Sequence, residues 1–168
     1  MSRWLALVLS LLWLGAGCVS YRAVDVNRFA AQGPSHGRMS AEAALTIAKN
    51  QLTACIDNPQ HGRHLEVLRA DRYGFDVVYW VRGRSPEHPE VTRRCHAPWR
   101  GLDIAVQEAE KPTAAERYTI VHVFFASPEF PSISFASRPG GPTSRLSDVV
   151  LAFQTLAAEA SAAGGTKP

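Results

Sequence analysis

The sequence predicts an α+β domain with a helix at each end of a run of about six mainly antiparallel strands. Three observations carry this: a helical period from Ser40 to Cys55, alternating or β-rich runs between Leu65 and Ala136, and a capped amphipathic stretch after Ser144. At 168 residues, 46% of them hydrophobic and 20% charged, the chain has room for one core. The predicted division is a leader over 1–17, a cysteine and tether over 18–39, a single domain over 40–158 and a flexible tail over 159–168.

The first helix is predicted from Ser40, a good N-cap, with Glu42 in the first turn where a carboxylate favours the helix dipole. Ala41, Leu45, Ala48, Leu52 and Cys55 recur at three- and four-residue spacing and define its apolar face. Asn58-Pro59-Gln60-His61-Gly62 ends it. Leu65 to Asp71 and Phe75 to Arg82 then form a hairpin turning at Arg72-Tyr73-Gly74, with Phe75, Val77, Tyr79 and Val81 on one face. A third strand is predicted over Val91 to Pro98. In the fourth, Leu102, Ile104 and Val106 alternate with Asp103, Ala105 and Gln107. Tyr118 to Phe125 is the most apolar strand and is expected to be buried on both faces, and Ile133 to Ala136 is a short sixth. Ser144 caps the last helix, whose predicted stripe is Leu146, Val149, Val150, Phe153, Leu156 and Ala157.

Ahead of the domain lies an export signal. Arg3 gives a positive start, Trp4 to Leu14 an apolar run too short to span a bilayer, and Gly15, Ala16 and Gly17 the small residues that a signal peptidase needs. At Leu14-Gly15-Ala16-Gly17-Cys18 the chain resembles the lipobox of bacterial lipoproteins, with the leucine one place earlier than usual. The resemblance implies acyl chains on Cys18, which becomes the new N-terminus, and stable attachment to an envelope membrane. Val19 after the cysteine implies sorting to the outer membrane, facing the periplasm, in a host with two membranes. From Val19 to Met39 no period is sustained, and the stretch reads as a tether.

With Cys18 acylated, Cys55 and Cys95 are the remaining thiols in an oxidising compartment, and the pair reads as one disulfide. The alternative is two separate buried thiols. A second resemblance is one of pattern: Trp99-Arg100-Gly101-Leu102-Asp103-Ile104, the strand Tyr118 to Phe125, Ile133-Ser134-Phe135 and the capped helix together resemble the back half of pleckstrin-homology-like domains. It implies a bent antiparallel barrel plugged by the last helix, as an alternative to an open sheet, and a binding or scaffold role.

The chain offers little for catalysis. His61, His64 and Cys95-His96 lack the paired spacing of a structural zinc site, so no metal or cofactor is expected; His88 reads as solvated and His122 as a hydrogen-bonded strand histidine. There is no Gly-x-Ser-x-Gly elbow and no phosphate-binding glycine loop, while Glu108 and Glu110, or Glu87 and Glu90, are pairs by position only. No enzyme is expected. A net charge of +3 spread along the chain argues against nucleic acid. Arg82, Arg84, Arg93, Arg94 and Arg100 form the one candidate anion-binding group, for an acidic headgroup, an anionic envelope polymer or an envelope protein. Arginines that protect strand edges are the competing explanation. The expected function is that of a noncatalytic interaction or assembly module. The alternative is a periplasm-facing binder of a lipid or other small apolar ligand, held between the Phe124/Phe125 strand and the final helix.

Overall fold

The computed structural model describes residues 20–35, 38–54, 63–81, 91–111, 116–137 and 144–165. In chain order the elements are β1 (Ser20–Val24), α1 (Val26–Ala31), α2 (Ala41–Ala54), β2 (Arg63–Ala70), β3 (Gly74–Val81), β4 (Val91–Pro98), β5 (Asp103–Lys111), β6 (Glu116–Phe124), β7 (Ser132–Ala136) and α3 (Ser144–Gly165). The strands form two antiparallel sheets, one in the order β1-β5-β6-β7 and the other β2-β3-β4. The α+β class is therefore as expected. Among the described residues no closed barrel forms, so the bent barrel that the pleckstrin-homology-like pattern implies is not seen: β4 pairs with β3, and β5 turns away to join the other sheet.

That separation is made by a tight turn. Trp99 follows β4 and is fully buried, its indole Nε1 donating to the Asp71 carbonyl at 2.6 Å and its amide to the Tyr73 carbonyl at 3.0 Å. Leu102 N–H then donates to the Trp99 carbonyl at 3.3 Å across a turn in which Gly101 has φ +73°. Glycine reaches that left-handed region without the Cβ penalty. Trp99 thus clamps the β2–β3 turn while Gly101 redirects the chain into the second sheet. At the clamped turn, Asp71 Oδ1 also accepts from Tyr73 N–H at 2.9 Å, the side-chain bond that makes aspartate a turn residue.

One core joins both sheets. Phe75 on β3 packs on Trp99, Phe125 and Phe130 with ring centroids 5.0, 5.2 and 5.6 Å apart. Phe153 on α3 meets Trp99, Phe125 and Phe135. Such tilted and edge-on pairs add to the area that each ring buries.

Three expectations are corrected here. The stretch read as a tether is largely folded: β1 pairs with β5 in register from Ser20 opposite Glu110 to Val24 opposite Val106. Asp25 then caps α1 by accepting from Arg28 N–H at 2.7 Å, and Phe29 and Ala30 are buried against α3. A five-residue strand and a six-residue helix are too short to show a period, so the sequence pattern missed them. The tail read as flexible is also helical, since α3 runs to Gly165 with Ala160 buried. Finally, β6 is buried on one face only: Thr119, Val121 and Val123 point inward, Ile120 and His122 are half-buried, and Phe124 is exposed.

The other elements lie close to their predicted spans, though the buried face of α2 runs through Ala44 rather than Ala41 and Leu45, which are half-buried, and Ser144 is the first residue of α3. Ser40 Oγ accepts from Ala43 N–H at 3.2 Å, and α2 buries Ala44, Ala48 and Leu52. α3 is buried more widely than one stripe, with Leu151 and Ala152 added, because α1 and α2 both pack against it. In β2 a register shift between Val67 and Arg69 is a bulge that takes Leu68 out of the ladder and leaves it exposed.

Candidate functional site

The proposed acylation point, Cys18, lies outside the described residues, but its distance from the fold is fixed by sequence. Val19 alone separates it from Ser20, where β1 begins. Two residues of extended chain reach at most about 7 Å between Cα atoms.

The described arginines, Arg93, Arg94 and Arg100, are not gathered side by side. Arg93 and Arg94 are adjacent on β4 and point to opposite faces of the three-stranded sheet, because successive strand residues alternate. Both are exposed, and β4 is an edge strand. Arg100 lies beyond the far end of β4, in the turn that follows Trp99. Its guanidinium lies against Gly164, with Nη1 2.7 Å from where a Cβ there would stand. A cation in the last turn of α3 complements the helix dipole. Arg82 and Arg84 lie outside the described residues.

The expected Cys55–Cys95 bridge is not supported. Cys95 stands as a free thiol, buried on the core side of β4 opposite Val77, and Cys55 lies outside the described residues. Burial raises the Cys95 thiol above its ordinary pKa, and the carboxylates of Glu129 and Asp76 push it further the same way. A buried, protonated thiol is a poor nucleophile and a poor metal ligand.

Two histidines have described side chains in the sheets. His96 Nδ1 lies 2.9 Å from Asp76 Oδ1, directly across strands β4 and β3 on the outer face. Ser127 Oγ, the nearby hydroxyl, donates to the His96 main-chain carbonyl at 3.2 Å rather than to its ring. The three residues therefore do not make a serine–histidine–aspartate relay. His122 Nδ1 lies 2.8 Å from Ser134 Oγ, and its ring stacks on Phe124. Among the described residues no group of three or more His, Cys, Asp or Glu gathers as a metal site, and no buried side-chain polar atom lacks a partner. His61 and His88 lie outside the described residues, as do Glu87 and Glu90.

Phe124 and Phe125, expected to line one cavity with the final helix, face opposite ways. Phe125 fills the space between β6 and α3 by packing on Phe75, Phe130 and Phe153. Phe124 is 43% exposed on the outward face of the four-stranded sheet.

That outward face is what the sequence reading overlooked. Cross-strand register lines up Tyr21, Ala109 and Tyr118 in one row, then Ala23, Gln107, Ile120 and Ala136, then Ala105, His122 and Ser134, then Asp103, Phe124 and Ser132. Asp103 is the one Asp, Glu, Lys or Arg among the described side chains in these rows, and the register carries the same alternation on to Lys111 opposite Glu116 at the far end of the β5–β6 pair. The outward face of the other sheet carries Glu66, Asp76, Arg94 and His96, as a solvated antiparallel face ordinarily does. The signal was present in the period-two pattern of β5 and β6, but the missing fourth strand, β1, hid its extent.

Among the described residues no helix is long and apolar enough to cross a membrane. Comparison of the chain with protein-family models, with curated proteins and with solved structures returned no match.

Proposed function

We propose that the chain is an envelope lipoprotein of a bacterium, held to a membrane by acyl chains on Cys18, whose α+β domain is a noncatalytic interaction or assembly module. The carrying observation is the arrangement of Arg3, the apolar run to Leu14, the small residues Gly15 to Gly17 and the cysteine itself, at the end of the chain where such a signal belongs. Among the described residues, the side chains nearest to a catalytic set are engaged elsewhere, which is compatible with the second half of the reading. His96 and Asp76 pair with each other at the surface, Cys95 is buried and protonated, and Ser127 is committed to a main-chain carbonyl. Val19 favours the outer membrane in a host with two membranes.

The test is intact mass with membrane fractionation of the protein and its Cys18→Ala variant. A diacyl or triacyl mass on a chain beginning at Cys18, together with membrane association lost in the variant, is the expected result. An unacylated, soluble wild type overturns it.

A further inference from the structure

We infer that the outward face of the four-stranded sheet rests on the lipid surface to which Cys18 holds the chain, an inference that depends on the lipoprotein reading above. The face does not serve the core. Ile120 is half-buried yet belongs to neither the core cluster nor the residues packed on it, and Ala109, buried between Tyr21 and Tyr118, lies outside that cluster as well. Tyr21 and Phe124, at opposite ends, are 59% and 43% exposed. The face is at most about 14 Å wide and 20 Å long, and eight of the thirteen residues in its four rows are Tyr, Phe, Ile or Ala. Exposed apolar surface gathered on one face is often functional.

The occupant follows from the chain between the anchor and the sheet. A Cys18 Cα within about 7 Å of Ser20 leaves no slack to lift the domain into solvent. β1 therefore enters the headgroup layer, and the sheet has two sides to turn toward it. On one side Arg22 stands opposite Glu108, both exposed; on the other Tyr21 stands beside Ala109 and Tyr118. Beside the anchor, bringing the Arg22–Glu108 side against lipid would strip water from two ions, whereas tyrosine, with an apolar ring and a polar tip, suits the membrane interface. The short link also makes the encounter intramolecular, so a face too weak to bind vesicles on its own stays engaged once anchored. The outward face of the three-stranded sheet, with Glu66, Asp76, Arg94 and His96, is left to water or to a partner.

The test uses the full acylated protein in vesicles of phosphatidylethanolamine and phosphatidylglycerol containing a phospholipid with a doxyl group near its headgroup. Phe124→Trp and Thr92→Trp each add one indole to an exposed position, the first on the inferred face and the second on the outward face of the other sheet. The mass of Cys18 is read on the same samples. With acyl chains present, the added fluorescence of Phe124→Trp should be quenched by the doxyl lipid several-fold more than that of Thr92→Trp, and should be shielded from aqueous iodide. Equal quenching in the two variants overturns the inference while leaving the lipoprotein standing. An indole at position 124 that is shielded from iodide but untouched by doxyl also overturns it, and gives the face to a second copy of the chain. An unacylated Cys18 overturns both readings together.

Discussion

Trp99 and Gly101 hold the point where one sheet gives way to the other, and each can be tested alone. Trp99→Phe keeps a ring in the core but removes the donor to the Asp71 carbonyl and leaves a small void. An acceptor left unsatisfied costs about 1–3 kcal/mol, so a loss of roughly 2–3 kcal/mol is expected in a urea titration. Gly101→Ala places a Cβ on a residue at φ +73° and 3.2 Å from the Ala126 Cβ, and should cost about 1–2 kcal/mol by the same measurement. Cys95 gives a pH prediction. The folded chain holds the thiol proton more tightly than the unfolded chain does. Its contribution to stability is therefore fully present below the ordinary thiol range and is lost as pH rises through the higher folded value. Cys95→Ala should flatten the alkaline limb of the stability profile. In a Cys55→Ala background, Cys95 should resist a thiol reagent until denaturant is added. Prompt labelling of the native protein would show that the thiol is neither buried nor protonated as described.

Elements differ in how legible they are in the sequence, and the difference has a physical cause. α2, the β2–β3 hairpin, β4 and α3 each carry enough residues for a period or a cap to show: Ser40 caps as expected, and Phe75, Val77 and Tyr79 share the buried face. β1 and α1 do not, because their order comes from partners distant in sequence. β1 is a strand by virtue of β5, while α1 is held by Phe29 in the core, by Asn27 accepting from Gln154 at 2.9 Å and by the close passage of Gly33 over Ser147. Part of the arginine group, Arg93 with Arg94, is separated for a related reason. Neighbours in sequence on one strand are on opposite faces in space, so Arg93 and Arg94 could not act side by side. The outward sheet face, the feature that matters most for the candidate site, depended on the strand that could not be seen. A substitution within α1 separates a tether from a structural element. Phe29→Ala empties a buried site and should destabilise the domain by about 3–5 kcal/mol, with a drop in melting temperature of roughly 10–15 °C. A tether would tolerate the change with no shift.

At the scale of the whole molecule, two sheets that share no backbone ladder behave as one body only if their side chains couple them. The coupling runs through Phe153 on α3, which touches Trp99 beyond the end of β4 and Phe125 and Phe135 at the other sheet. Phe75 closes the circuit by touching Trp99 and Phe125 from within the smaller sheet. Neither sheet has a core of its own: the inward faces of both belong to a single buried cluster with α2 and α3. Removing the ring of Phe153 should therefore weaken both sheets by the same amount. The expected loss for Phe153→Ala is about 3–5 kcal/mol, a large part of the 5–15 kcal/mol that holds a typical domain together. Native-state hydrogen exchange can resolve where the loss falls. If the core is shared, the slowest amides of β3 and β6 lose protection equally and the urea transition stays single, with matching midpoints from fluorescence and circular dichroism. If β6 loses protection while β3 keeps it, the sheets are separate units that happen to touch. In that case an anchor two residues before β1 would position only the larger sheet on the membrane, leaving the smaller one free to open on its own.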